Sequence, residues 1–364
     1  MVANDKIKLV RTLRDHNNKV WSVATHQSLP LLATASADKT IIVYDLNNFN
    51  VITKLSETHQ KSIRSVSWKP SSEFPCLAAG SFDSTMSIWA KTDENFEEYS
   101  DDDDIDDDGA QEGNSTNKQW SLMAIIEGHE NEIKCVSWSA DGNYLASCSR
   151  DKTVWIWETD EYNEEFECIN VLQDYHSQDV KFIKWGPDQC LISASYDDTI
   201  KVFKEPSPGD DLTCVCDLNA HDGTVWAIDF EPMEVVGTKH WRFVSCSDDS
   251  SVKVWALTEE NRSEELEDWQ LQAKLPIKHK GSIYSVSWSA NSGRIASVGS
   301  DGNLIIYKEI ESGKWEIDSI KPLAHGVFDL NCVVWIKNID ESATTERLIT
   351  GGDNGTVNIW EIEM

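Results

Sequence analysis

Residues 128–158, GHENEIKCVSWSADGNYLASCSRDKTVWIWE, contain one full copy of a pattern that recurs along the chain. It begins with His129 and continues into an alternating apolar segment that starts at Ile133. A second apolar segment leads to Asp151 in a tight turn, and a third ends at Trp157. Short alternating segments separated by turn residues are typical of antiparallel β-strands. The stretch therefore predicts three strands of one small sheet.

The same pattern occurs seven times along the chain, and its histidines lie 43, 70, 47, 45, 58 and 46 residues apart. A period of roughly 40–50 residues, with a histidine near the start and a tryptophan at the end, is typical of a WD40 β-propeller. We therefore predict an all-β fold, a seven-bladed WD40 β-propeller that spans residues 1–364 as a single domain. The repeated histidines are His16, His59, His129, His176, His221, His279 and His325.

The last repeat provides only three strands, because the chain ends at Met364 shortly after the third strand. The segment IKLVRTL, which precedes His16, has strand character and lies where a fourth strand would precede the first repeat. We therefore predict that this N-terminal strand closes the last blade. Such closure removes the open edge of the ring of sheets.

Two acidic insertions interrupt the period. Residues 91–119 lie within blade two, and residues 93–112 hold twelve acidic and no basic side chains, so we predict that this insertion is disordered. The second, TEENRSEELED at 258–268, lies within blade five. The net charge is −31, and it is still −19 when the twelve acids are set aside.

Composition also limits the function. A charge of −31 argues against a nucleic-acid-binding surface, because phosphate binding needs lysine and arginine. No segment approaches the ~18 apolar residues of a membrane span, and the charged N-terminus has no apolar signal core. The nine cysteines lack the spacing of a metal site. We therefore expect a cytoplasmic and nuclear protein with no metal or cofactor of its own.

The recurring His and Asp pairs could suggest catalysis, but their presence in nearly every repeat favours a structural role, and no catalytic sequence motif is present. In WD40 propellers the histidine, the turn aspartate, a strand hydroxyl and the tryptophan form a hydrogen-bonded network. By this resemblance, two blades contain all four members: His129, Ser147, Asp151 and Trp157, and then His221, Ser245, Asp249 and Trp255. Elsewhere one member is missing, because Ala79 replaces the hydroxyl and Tyr44, Phe203 and Tyr307 replace tryptophan.

Two positions in each repeat should face the end of the propeller where the inner strands begin, here called the top face. They are the residue after the first apolar residue of the inner strand and the residue before the turn aspartate. Aromatic residues and arginine are the types that anchor interfaces, so we predict partner binding there, against the alternative of a solvated rim with incidental aromatics. Arg150 in particular has no structural partner in the repeat pattern. The candidate partner-binding residues are Trp21, Arg64, Phe82, Lys134, Arg150, Lys181, Tyr196, Trp226 and Tyr284.

Nearly the whole chain resembles a narrower family, the WD40 subunit of the cytosolic iron–sulfur protein assembly (CIA) machinery. The specific part is CSRDKTVWIWE together with EFEC, VLQ and the following His and DVK; the run VWSVATHQSLPLLATASADKTIIVYD adds to it. The resemblance implies a non-catalytic scaffold, a monomer within a hetero-complex. Its implied partners are a small adaptor, a HEAT-repeat scaffold, an iron-only-hydrogenase-like assembly factor and client apoproteins. It also implies that Arg150, in the SRDK turn, is a functional surface residue.

Two alternatives remain open from the sequence. One is a WD40 adaptor of another complex, either a ubiquitin-ligase substrate receptor or a chromatin module. The other is an enzyme that uses the central channel.

Overall fold

The chain folds into seven four-stranded antiparallel sheets, whose innermost strands pack side by side in a closed ring. The all-β, seven-bladed propeller predicted from the repeats is confirmed. The computed structural model describes residues 6–70, 74–91, 120–160, 162–205, 209–232, 240–262, 266–337 and 344–363. Among these residues, no helix has the length and apolar character needed to cross a bilayer.

The strands follow one another in the order of the blades. The N-terminal strand is β1 (Ile7–Leu13). Blade one comprises β2 (Val20–Thr25), β3 (Leu31–Ser36), β4 (Ile41–Asp45) and β5 (Val51–Leu55). Blade two comprises β6 (Ile63–Trp68), β7 (Cys76–Ser81), β8 (Thr85–Lys91) and β9 (Trp120–Glu127). Blade three comprises β10 (Ile133–Trp138), β11 (Tyr144–Ser149), β12 (Val154–Thr159) and β13 (Phe166–Leu172).

The remaining blades repeat this order. Blade four comprises β14 (Val180–Trp185), β15 (Leu191–Ser195), β16 (Thr199–Lys204) and β17 (Thr213–Asn219). Blade five comprises β18 (Val225–Phe230), β19 (His240–Ser247), β20 (Val252–Thr258) and β21 (Gln270–Lys274). Blade six comprises β22 (Ile283–Trp288), β23 (Ile295–Gly299), β24 (Leu304–Glu311) and β25 (Lys314–Lys321). Blade seven contributes β26 (Leu330–Ile336), β27 (Thr345–Gly352) and β28 (Val357–Glu363).

Blade seven is completed by β1, which pairs antiparallel with β28. The register joins Ile7 to Ile362 and Leu13 to Val357, and the Thr12 hydroxyl donates a 2.8 Å hydrogen bond to Asn358 Oδ1. Both ends of the chain therefore share one sheet, and closure by the N-terminal strand is confirmed. The pairing supplies partners to backbone groups that would otherwise form an exposed edge.

The apolar core lies between neighbouring blades. Between blades three and four, Cys148 and Ile156 pack with Ile183, Trp185 and Phe203. A similar cluster joins blade one to blade seven, so the ring also closes through apolar contact. Each sheet has two faces to bury and little thickness of its own, so the stability of one blade depends on both of its neighbours.

Hydrogen bonds link the inner strands of adjacent blades in addition to this packing. Ser137 Oγ of blade three accepts a 3.3 Å hydrogen bond from the backbone N–H of Trp185 in blade four. Asp229 Oδ2 of blade five accepts a 2.7 Å bond from the N–H of Trp288 in blade six. Serines serve the same purpose between blades two and three and between blades six and seven. These bonds satisfy buried polar groups that would otherwise destabilise the fold.

Inside each blade, the recurring histidine lies at the centre of a hydrogen-bonded network. In blade three, His129 Nδ1 lies 2.7 Å from Asp151 Oδ2 and Nε2 lies 2.8 Å from Ser147 Oγ, which accepts a 3.0 Å bond from Trp157 Nε1. Because an ionised carboxylate can only accept, Nδ1 is the donor to Asp151. Thr153 adds a second donor to the same carboxylate, at 2.5 Å. Blade five has the same arrangement in His221, Ser245, Asp249 and Trp255.

In blade two, the prediction that a hydroxyl is missing is wrong. Ala79 occupies the expected position, but its cross-strand neighbour Ser87 supplies the hydroxyl from β8. His59 Nε2 lies 2.8 Å from Ser87 Oγ, which accepts a 3.0 Å bond from Trp89 Nε1. Paired residues on antiparallel strands lie close together on one face, so either can reach the ring.

Blade seven also forms the network, with an uncharged acceptor. Asn354 Oδ1 lies 3.0 Å from His325 Nδ1, and Thr350 Oγ1 lies 2.8 Å from both His325 Nε2 and Trp360 Nε1. Blades one, four and six lack the indole donor, because their closing residues are Tyr44, Phe203 and Tyr307. Repetition in all seven blades fits an architectural role for these groups.

The network makes stability depend on pH in acid. Burial acts to raise the pKa of Asp151, but hydrogen bonds from His129 and Thr153 outweigh it and hold the pKa at about 2. The pKa values of the turn aspartates in blades one, two, four, five and six are lowered in the same way. Unfolded aspartates titrate near pH ~4, so this stabilisation is complete above about pH 5 and is lost as the pH falls towards 2.

We therefore expect the urea midpoint to fall steeply from about pH 4 downward, because the turn aspartates become protonated there. Replacing Asp151 with asparagine should reduce the slope in the acid range, because one group with a lowered pKa is removed. Equal midpoints at pH 5 and pH 3 would contradict the assignment.

Of the two acidic insertions, only the second lies largely within the residues that the structure describes. Residues 92–119 lie outside the described residues, so disorder in the first insertion stays a prediction. In the second, a 3-10 turn at Glu259–Asn261 follows β20, and Arg262 forms a β-bridge with Glu267. The Arg262 guanidinium lies 4.4 Å from the ring centre of Trp241 and 3.0 Å from Asp188 of blade four. The described part of this acidic segment thus packs back onto the propeller.

Candidate partner-binding site at the mouth of the central channel

The seven inner strands enclose a central channel of about 610 Å³. At its top-face end is a smaller cavity of about 260 Å³, here called the channel mouth. The second residue of every inner strand lines it: Trp21, Arg64, Lys134, Lys181, Trp226, Tyr284 and Asn331. The structure thus brings together one predicted position from each of the seven repeats.

A β-bulge explains why this position faces the mouth in every blade. The pairing of each inner strand with its neighbour shifts register around the second residue, as between Ile133 and Cys135 in blade three. Lys134 is therefore left out of the ladder, and its side chain is turned towards the channel. Bulges commonly redirect a side chain in this way.

Cations and aromatic rings contact one another around the mouth. Lys134 Nζ lies 4.3 Å from the ring centre of Phe82, which also lines the cavity. Lys181 Nζ lies 5.0 Å from the ring centre of Tyr196 and 5.4 Å from that of Trp226. These distances are within the range of cation–π attraction. The lysines are thereby held in place as a preformed surface.

Carboxylates neutralise part of this charge. Lys134 Nζ lies 2.5 Å from Glu132, and Lys181 Nζ lies 3.0 Å from Asp179. Arg150 does have a partner, contrary to the prediction from the repeat pattern, because its guanidinium lies 3.8 Å from Glu132 Oε1. A backbone hydrogen bond of 3.0 Å from Arg150 N to Glu132 O joins the two loops. The Arg150 side chain is still 55% exposed, so this ion pair is weak.

Arg64 differs from the other three cations. It is half-buried, donates a 3.2 Å hydrogen bond to the carbonyl oxygen of Trp21 and lies 5.3 Å from the centre of that ring. Within the described part of the chain it forms no ion pair. Burial lowers the pKa of Arg64, and burial also lowers that of Lys134 despite its Glu132 partner. Arg64, Lys134, Arg150 and Lys181, together called the cationic arc, therefore lack a full complement of negative charge.

The opposite side of the mouth is acidic. Asp329 and Asp353 line it, together with Lys19. Lys19 Nζ lies 2.5 Å from Asp353 Oδ2, and Asn331 Nδ2 donates a 2.9 Å bond to Asp353 Oδ1. Lys19 and Asp329 are not among the residues predicted from the repeats. Each immediately precedes the first apolar residue of an inner strand, and this shared position is the signal that could have found them.

Comparison with known proteins places the chain in a family. The family model "WD domain, G-beta repeat" matches residues 7–45, 50–90, 120–158, 166–204, 212–256 and 269–308. A protein of Candida albicans named "Probable cytosolic iron-sulfur protein assembly protein 1" is 47% identical over 98% of this chain and 100% of its own length. The protein of the same name from Debaryomyces hansenii is 48% identical, with the same coverage. That from Kluyveromyces lactis is 46% identical over 98% of both chains.

The chain belongs to this family of WD-repeat proteins. The six repeat matches end at residue 308, before the inner strand of blade seven. That blade departs from the repeat pattern in two ways. Asn354 replaces the turn aspartate, and the loop from His325 to Leu330 is one residue longer than its counterparts. In this chain, the blade that the repeat model does not match is the one that the N-terminal strand completes.

Proposed function

We propose that this chain is a non-catalytic scaffold of cytosolic iron–sulfur protein assembly, which binds partner proteins on its top face. The names of its full-length relatives support this role. The fold supports it too, because a closed ring of sheets offers a large rigid surface for protein contacts. The recurring His and Asp groups are engaged in structural hydrogen bonds, and we assign them no catalytic role.

The channel mouth is proposed to bind an acidic, aromatic-containing segment of a partner or client, with a free carboxylate. The observation that carries this proposal is Arg64, a half-buried cation without an ion-pair partner among the described residues. A carboxylate can take both nitrogens of an arginine at once, which gives strength and direction. Trp226 and Tyr284 lie 5.3 Å apart, edge to face, and would provide surfaces for an aromatic side chain.

The proposed partners are the ones implied by the family resemblance. They are the small adaptor, the HEAT-repeat scaffold, the iron-only-hydrogenase-like assembly factor and client apoproteins in the cytoplasm and nucleus. The iron–sulfur cluster is cargo in this scheme, handed between partners without a resident cofactor on this chain. Cys135, Cys148 and Cys332 are buried in strands, where they pack as small apolar side chains.

An Arg64→Ala variant tests the site. With a labelled acidic decapeptide ending in phenylalanine and a free carboxylate, we expect affinity to fall by a factor of about ten or more, because a charge-assisted bond of ~1.5–3 kcal/mol is lost. Affinity should also fall as salt rises. Fluorescence anisotropy on the full chain measures both effects. Amidation of the peptide terminus should weaken binding to the wild type and have little further effect on the variant.

Two further variants make the result specific. Arg347→Ala removes an exposed arginine from β27, away from the mouth, and should bind as the wild type does. Arg150→Glu should have the melting temperature of the wild type, because the side chain is exposed. It should bind the peptide more weakly, because it places a second carboxylate beside Glu132. Affinity purification with the same variants distinguishes an iron–sulfur assembly scaffold from a WD40 adaptor of another complex. Recovery of ubiquitin-ligase or chromatin subunits would favour the alternative adaptor. Binding indifferent to salt, Arg64 and Arg150 would refute the proposed site.

A further inference from the structure

The loop that enters blade seven differs from the other six in chemistry. Three residues separate the histidine from the inner strand in blades one to six, and none of them is valine, leucine or an aromatic. In blade seven there are four residues, and two are Val327 and Phe328. Residues 322–329, here called the blade-seven loop, also contain Leu323. The loop of blade seven is therefore both one residue longer and more apolar than the corresponding loops of the other six blades.

These apolar side chains face solvent. Val327 is 84% exposed, Leu323 is 57% exposed and Phe328 is 46% exposed. Single exposed apolar residues are common on protein surfaces, but three on one loop form a patch of the kind that marks interaction sites. None of the three belongs to the apolar clusters between the blades. The fold itself thus gains little from their apolar character.

The loop is nevertheless well fixed. Ala324 N donates a 2.9 Å hydrogen bond to Gly302 O of blade six, and Asn358 Nδ2 donates a 3.1 Å bond to Ala324 O. Leu323 has φ of 49°, a left-handed conformation that a glycine would adopt at lower cost. Leucine occupies this position, although the backbone geometry favours glycine. The patch is therefore preorganised, which reduces the entropy lost on binding.

Negative charge borders the patch. Asp329 directly follows Phe328 and lies near Asp353 at the channel mouth. Among the described residues, Asp353 is paired with Lys19, whereas Asp329 forms no ion pair. Burial and the neighbouring Asp353 raise the pKa of Asp329, and the nearby Lys19 and a hydrogen bond with the Tyr284 side chain offset this only in part. With a net charge of −31, the whole chain attracts basic partners and repels acidic ones.

We propose that the blade-seven loop is a docking surface for a partner segment that carries apolar side chains next to lysine or arginine. The apolar residues would cover Val327 and Phe328, and the basic residue would pair with Asp329. This surface lies across the channel mouth from the cationic arc and does not depend on it. A partner that used both would be bound in one direction, with its acidic end at blades two to four and its basic end at blade seven.

The test uses a labelled decapeptide with a Lys-Leu-Phe-Lys core, acetylated and amidated so that it carries no free carboxylate. In anisotropy titrations at low salt, we expect saturable binding to the full chain. Val327→Asn and Asp329→Asn should each weaken it at least fivefold. Ile125→Asn is the matched control, because Ile125 is also an exposed apolar residue, at 51%, but lies on β9 of blade two. Urea unfolding of all three variants verifies that the fold is intact.

Several outcomes would overturn this proposal. They are no binding at 1 mM peptide, equal loss with Ile125→Asn, and equal binding of a peptide whose Leu-Phe is replaced by Ser-Ser. Self-association in sedimentation that Val327→Asn abolishes would mean that the surface binds a second copy of the chain. Arg150→Glu should leave binding of this peptide unweakened, so failure here and failure of the cationic-arc proposal are distinguishable.

Discussion

The His129→Ala variant should unfold with a free energy lower than that of the wild type by about 3–5 kcal/mol. The substitution removes the donor to Asp151 and the partner of Ser147, and each buried polar group left without its partner costs about 1–3 kcal/mol. It also leaves a cavity beside Trp155, whose ring centre lies 5.3 Å from that of the imidazole. Urea unfolding at neutral pH measures the loss.

A second buried histidine provides the control for this prediction. His26 is outside the repeat pattern, and its Nδ1 accepts hydrogen bonds from the backbone N–H groups of Ser28 and Leu29. His26→Ala should cost less, because water can reach the partly exposed loop that is left. A double-mutant cycle of His129→Ala with Asp151→Asn should show coupling between the two sites. Equal losses for His129→Ala and His26→Ala would mean that the network adds nothing beyond burial.

The second large effect is expected at Arg242, which joins blades five and six. Its Nε donates a 2.7 Å hydrogen bond to Glu231, and its Nη1 donates a 2.8 Å bond to Glu309 of β24. The guanidinium also lies 5.2 Å from the ring centre of Trp288. Burial alone would lower the pKa of Arg242, but the two glutamates outweigh it and raise the pKa. Arg242, Glu231 and Glu309 therefore form one partly buried charged cluster that packs against Trp288.

Arg242→Ala should lower the free energy of unfolding by about 3–5 kcal/mol, because Glu231 is left buried without a cation and close to Glu309. Adding Glu231→Gln should recover part of the loss by removing one of the two charges. The matched control is Arg347→Ala, whose exposed side chain lies 3.7 Å from Glu361 and should cost less than about 1 kcal/mol. Comparable losses for the two arginines would show that burial of the Arg242 cluster has no energetic consequence.

The fold could be predicted from the sequence in considerable detail. The spacing of His129, Asp151 and Trp157 reflects contacts within one blade, between residues about 20 positions apart. Such contacts leave a period in the sequence. The exception in blade two shows the limit of this approach. Cross-strand neighbours such as Ala79 and Ser87 can exchange roles, and only the register of the strands shows which one does.

The candidate binding site could be predicted only in part from the repeat pattern. The repeat pattern identified the second residue of each inner strand. It did not show the β-bulge that turns these side chains towards the mouth, because a bulge is a feature of strand pairing. It also left Arg150 without a partner, because nothing in the repeat pattern indicates that Glu132 lies 3.8 Å away. The exposure of Val327 likewise depends on how the longer loop of blade seven packs against blade six.

The strands, the number of blades and the closure by the N-terminal strand could be predicted, because local alternation and a regular period are sufficient to specify each repeating unit. Which charges meet across the ring depends instead on how the blades pack. Lys19 and Asp353, 334 positions apart, form an ion pair only because blade one packs against blade seven. Arg64 remains without a carboxylate among the described residues because the ring places it beside Trp21. Contacts made by ring closure have no fixed sequence separation, so no period along the chain can record them.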